Sequence, residues 1–162
     1  MSPQGNTLAR PTATALLALL LLLTGVDKTA IAADLDLAQY RGQVVVLDFW
    51  ASWCKPCRQS IPWLNQMRAL YGERGLVIVG VNVDAVHTDA ERFLRDVPVD
   101  FKLVFDPAGD LARRYEVKGM PTSVVFDRNG RVVQRFVGFR QAQSAAHEIE
   151  LQQLLSSPLQ HE

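Results

Sequence analysis

The residues of this chain best suited to covalent chemistry are its only two cysteines, Cys54 and Cys57, in the run Trp53-Cys54-Lys55-Pro56-Cys57. Thiols at this spacing can break and re-form a disulfide with a partner, one sulfur attacking and the other resolving the mixed disulfide. As a staple the pair has little value, because the entropy removed from the unfolded chain grows with the loop enclosed, and this loop is very short. The competing use of a C-x-x-C pair is half of a tetrahedral metal site. There is no second such pair, and His87, His147 and His161 are not spaced as paired ligands. Thiol–disulfide exchange is the leading reading, with soft coordination of copper by Cys54, Cys57 and His87 kept as the metal alternative.

A second chemical residue is Asp48, a carboxylate inside an apolar run just before the cysteines. Burying an unpaired charge is costly and favours the neutral acid. Asp48 either meets a polar neighbour or serves Cys57 as a proton acceptor when that thiol must attack.

The elements that must position these groups follow from pattern. Gln43 to Trp50 is nearly all apolar and β-branched, which predicts a strand buried on both faces. After Ala51-Ser52-Trp53, Pro56 suits an early helical position, and Ile61, Leu64, Met67 and Tyr71 recur at helical spacing. Cys54 is thereby predicted at a helix start, where unpaired N–H groups and the helix dipole stabilise a thiolate. Cys54 is the expected nucleophile, and Cys57, one turn further in, the more buried resolving thiol. Lys55 and Arg58 add nearby positive charge.

Leu76 to Asp84 predicts a second strand, giving a βαβ unit with a parallel pair. Thr88-Asp89-Ala90-Glu91 has capping-box spacing ahead of a short helix. Lys102 to Phe105 reads as a strand, and Asp106-Pro107 as the cap and first turn of a helix carrying Leu111 and Tyr115. Thr122 to Asp127, the turn Arg128-Asn129-Gly130 and Arg131 to Val137 read as a hairpin. A final helix from Gln141 to about Ser156 is expected to turn Ala142, Ala145, Ile149 and Leu154 to the core.

At 162 residues the chain has room for one domain, expected over residues 33–162. Residues 1–32 read as a secretory signal peptide. Arg10 is the sole charge before Asp27, Ala15 to Leu23 is unbroken apolar sequence, and Ala30-Ile31-Ala32 supplies small residues for cleavage near Ala32. An uncleaved anchor is the alternative, although the apolar run is about half of the ~20 residues that span a bilayer. With 17 basic and 17 acidic side chains, composition gives no case for nucleic acid or an anionic membrane surface as partner.

These residues together resemble the thioredoxin superfamily over about Gln39 to Leu155. V-L-D-F-W-A-S-W-C-K-P-C-R looks like the family's active-site strand and turn. Pro62 matches its helix-kinking proline, Gly119-Met120-Pro121-Thr122 its cis-proline loop, and Gly138 a late glycine. The resemblance implies an α/β thioredoxin fold, a central mixed β-sheet flanked by helices, with an extra strand–helix insertion over Ala85 to Phe105. It also implies a cis Met120-Pro121 bond facing the disulfide, with Trp53, Pro56, Met120 and Pro121 contacting an extended substrate segment. Asp48 matches the buried acid of thioredoxin, whereas the lysine beside that acid falls here at Gly80.

Export and the insertion point to the TlpA/ResA-like periplasmic thiol–disulfide oxidoreductases, which commonly reduce secreted or membrane-tethered proteins, including apocytochrome c and copper-site assembly factors. The expectation is a monomeric protein-disulfide reductase, recharged by a membrane electron-donor protein, with no cofactor beyond the Cys54–Cys57 couple and no resident metal. A disulfide oxidase or isomerase is the near alternative, decided by reduction potential. A thiol peroxidase is disfavoured because Ala51 stands where the peroxidatic T-x-x-C motif needs threonine.

Overall fold

The structure, a computed structural model, describes residues 35–158; the expected signal peptide lies outside the described residues. Five strands form one mixed sheet in the order β3-β2-β1-β4-β5: β1 Val44–Trp50, β2 Leu76–Asn82, β3 Lys102–Phe105, β4 Thr122–Phe126 and β5 Val132–Val137. Strands β1, β2 and β3 run parallel, while β4 pairs antiparallel with both β1 and β5. All seven residues of β1 are buried, as an apolar run at the centre of a two-sided sheet requires.

Alternation along the strands sorts side chains between two cores. Val44, Val46 and Trp50 pack with Ile61, Leu64 and Met67 of α1 (Cys57–Tyr71), Phe93 of α2 (His87–Asp96) and Leu151 and Leu155 of α4 (Ser144–Ser156). Val45, Leu47 and Phe49 pack on the other face with Leu111 of α3 (Asp110–Arg114). The segment expected as an insertion forms α2 and the edge strand β3. Among the described residues, no helix is long and apolar enough to cross a membrane.

Three local expectations are corrected. Helix α2 begins one residue before Thr88, after Val86, with no side-chain cap, so the capping-box spacing is not used; His87 and Glu91 pair across the first turn instead. Asp106 does not start α3. Its carbonyl accepts from the Gly109 N–H, Gly109 turns left-handed with φ of 73°, and the carboxylate reaches forward to the Ala112 N–H at 2.9 Å. On α4 the core face is Leu151 and Leu155, with half-buried His147 stacked on Phe136; Ala145 and Ile149 are exposed, as is Ala142 in the turn just before the helix, and Leu154 is half-buried. Apolar residues lie all round this helix, and membership of the core cluster with Ile61, Tyr71 and Phe136 distinguishes Leu151 and Leu155 as the inward ones.

Candidate active site

Strand β1 ends at Trp50, whose carbonyl accepts from the Val83 N–H, and the chain then turns sharply through Ala51-Ser52-Trp53. The turn is clamped from the segment that follows β2. The Asp84 carboxylate accepts from the Ser52 N–H and hydroxyl at 2.9 Å each, and from the Asn82 side-chain amide at 2.8 Å. Sequence reasoning gave Asp84 no role; its signal was a carboxylate closing the apolar run that begins at Leu76.

Cys54 and Cys57 are joined in a disulfide, with Cα atoms 5.4 Å apart. Helix α1 starts at Cys57, so Cys54 precedes the helix rather than opening it. It nonetheless serves the helix end: the Cys57 N–H points at Cys54 Sγ at 3.2 Å and is also aimed at the Cys54 carbonyl. A sulfur that receives an N–H of a first helical turn lies where a thiolate is stabilised. Cys54 is 4% exposed and Cys57 is fully buried, the order expected for attacking and resolving sulfurs.

Around the pair, Trp53 is 70% exposed, Lys55 is exposed and Pro56 is half-buried. Arg58 leans away from the sulfurs onto α2, its guanidinium 4.8 Å from the Phe93 ring centre and 3.7 Å from Asp96. The Met120-Pro121 bond is cis, and Pro121 is buried with its carbonyl accepting from the Gly138 N–H at 2.8 Å. Because Thr122 pairs with Phe49 near the end of β1, the half-buried Met120 lies at the same end of the sheet as the cysteines.

Asp48 is 1% exposed. Its position between Val46 and Trp50 turns it to the face that holds Cys57. The Ser123 hydroxyl, on the paired residue of β4, donates to Asp48 Oδ1 at 2.6 Å, and Oδ2 has no partner. Burial pushes its pKa up to about 7, the Ser123 hydrogen bond opposing the rise. Across the β1–β2 pair stands Gly80, where a side chain would meet Leu103, Phe101 and the Trp50 indole at 2.9 to 3.1 Å. Aromatic and aliphatic carbon thus fills the space in which the resemblance placed a lysine.

His87 is turned to Phe105 and Glu91, away from a shared site with the sulfurs. Among the described residues, no group of three or more His, Cys, Asp or Glu converges as a metal site. A 520 Å³ groove lies at the opposite end of β2, lined by Tyr40, Arg68, Leu76 and Lys102, whereas Trp53 stands on open surface. Such a rim suits a protein segment laid over the disulfide.

A family described as Redoxin matches residues 6–151. The chain is 52% identical to a Chlorobium tepidum protein assigned as the thiol:disulfide interchange protein DsbE. The two structures superpose with a TM-score of 0.72 over 74% of this chain and 85% of that one. It is 31% identical over 104 residues to the thiol-disulfide oxidoreductase ResA of Bacillus thuringiensis, and 35% identical over 102 residues to ResA of Geobacillus kaustophilus. These matches cover 64% and 63% of this chain, and 60% and 59% of the two relatives' lengths.

Proposed function

Since the chain belongs to the Redoxin family and is a TlpA/ResA-like thioredoxin-superfamily protein, we propose that it is a thiol–disulfide oxidoreductase working as a protein-disulfide reductase outside the cytoplasm. The observation that carries this reading is the Cys54–Cys57 disulfide at the first turn of α1, with the less buried sulfur capping that turn beneath an exposed tryptophan.

In the reduced protein, Cys54 attacks a disulfide of the partner protein. A Cys54–partner disulfide forms, and the partner's other sulfur leaves as a thiolate. Asp48 takes the Cys57 proton, Cys57 attacks Cys54 Sγ, and the second partner sulfur departs. Two electrons have then passed to the partner, and the Cys54–Cys57 disulfide remains for a membrane electron-donor protein to reduce. Trp53, Pro56, Met120 and Pro121 hold the partner segment.

Residues 1–32 are read as the export signal and residues 33–162 as the thioredoxin-like domain, acting as a monomer in the periplasm. The pattern of Arg10, the Ala15 to Leu23 run and Ala30-Ile31-Ala32 supports export. The test is trapping. Cys57→Ala should accumulate a mixed disulfide through Cys54 with a disulfide-bearing protein, and Cys54→Ala should not. Equal trapping by both variants, or by neither, contradicts the assignment of attacking and resolving sulfurs.

A further inference from the structure

Two polar atoms on the buried face of β1 have no hydrogen-bond partner among the described residues, the acceptor Asp48 Oδ2 and the donor Trp50 Nε1. The residues stand two apart on one strand, so their side chains leave the same face about 7 Å from each other. Buried polar groups are rarely left unpaired, and a donor and an acceptor orphaned on one face of one strand match the two ends of one bridging water. Gly80 makes the arrangement possible, since a Cβ there would stand 3.1 Å from the indole nitrogen. Phe93 also packs on the indole, with ring centres 5.1 Å apart.

We propose that Trp50 is a positioning residue for the proton acceptor: its indole N–H hydrogen-bonds the free oxygen of Asp48 through one buried water, and the lack of a side chain at Gly80 lets the indole lie close against β2. The inference rests on the reading of Asp48 as the base for Cys57. Its role is electrostatic, because a donor to the ionised carboxylate favours the charged form and keeps the acid able to accept a proton near neutrality. In place of a fixed cation, the protein uses a neutral N–H fixed by packing.

The groups facing Asp48 are few. Ser123 on β4 donates to the other oxygen, Cys57 on α1 is tied in the disulfide, and β2 presents Gly80. From α4, His147 stacks on Phe136, the neighbour of Ser123 across β4–β5, and burial lowers its pKa, so it is neutral where Asp48 titrates.

The experiment is a carboxyl and indole NMR titration of the oxidised mature protein, which needs no partner and stands or falls apart from reductase activity. In the wild type, the Trp50 indole N–H resonance should move with the same midpoint as the Asp48 carboxyl, and Asp48→Asn should abolish that movement. Trp50→Phe, which keeps an aromatic ring on Phe93, should raise the Asp48 midpoint by about one pH unit. An indole resonance that stays flat through the Asp48 titration, or a Trp50→Phe midpoint equal to the wild type, overturns the proposal. The wild-type indole reading decides the matter even if Trp50→Phe does not fold.

Discussion

Ser123 Oγ donates to Asp48 Oδ1 at 2.6 Å across the β1–β4 pair, so among the described residues the buried acid on the disulfide's side of the sheet is held by a hydroxyl and not by a cation. Burial therefore dominates, and the acid titrates near neutral pH.

The raised pKa has a cost in stability. The folded protein holds the Asp48 proton up to about pH 7, whereas the unfolded chain loses it near 3.8. The native state thus binds more protons between those values, and this group makes stability fall as pH rises through that window. Asp48→Asn should remove the fall. It should stabilise the protein at pH 8 by up to about 4 kcal/mol relative to its effect near pH 4, measured by denaturant unfolding at both pH values. An equal effect at the two pH values would mean that Asp48 ionises normally.

For catalysis, Asp48→Ala should slow resolution of the mixed disulfide by about a hundredfold at neutral pH and leave its formation nearly unchanged, as expected for loss of a general base. Single-turnover kinetics with a labelled disulfide peptide separates the two steps. Wild-type rates in both would exclude the proton-acceptor role.

The Asp84 clamp makes a prediction about the site turn. Asp84→Ala leaves the Ser52 N–H and hydroxyl and the Asn82 amide without their acceptor, at a cost of about 1–3 kcal/mol. Unfolding midpoints report the loss, and Ser52→Ala, which removes one of these bonds, should cost less. A neutral Asp84→Ala would show that the turn is held by its backbone alone.

Trp53 stands clear of the core, so Trp53→Ala should change stability by less than about 0.5 kcal/mol. If it is the main contact for the partner, kcat/KM toward a protein disulfide should fall by about thirtyfold. Unchanged kcat/KM with an intact fold would remove Trp53 from the recognition surface.

His147 stacks on Phe136, and burial lowers its pKa below the ordinary 6.5. Its neutral form supports folding fully above that unfolded value, and the support is lost as pH falls toward and through the lower folded value. His147→Phe should therefore narrow the gap in Tm between pH 8 and pH 5, as followed by thermal melts. A gap equal to that of the wild type would mean that His147 is charged in the folded protein at pH 5.

The parts legible in the sequence are those fixed by neighbours in the chain. The β1 run, the cysteine pair, the hairpin after Pro121 and the order of burial of Cys54 and Cys57 all follow from local pattern. The inward face of α4 was misread because alanine and leucine occupy several faces, so only the core cluster with Ile61, Tyr71 and Phe136 picks one. The Asp84–Ser52 clamp joins residues 32 apart, and the seating of Trp50 over Gly80 joins two strands; neither has a local signature. The Asp106 turn was missed because Gly109, three residues on, takes the left-handed conformation that sets where α3 begins.

The central claim, a reductase acting through Cys54 and Cys57, is tested most directly by the reduction potential of that couple in the purified protein, equilibrated with dithiothreitol or glutathione. The account predicts a value near or below about −250 mV, on the thioredoxin side of the scale. A value between about −120 and −180 mV would contradict it and make the protein an oxidant or isomerase.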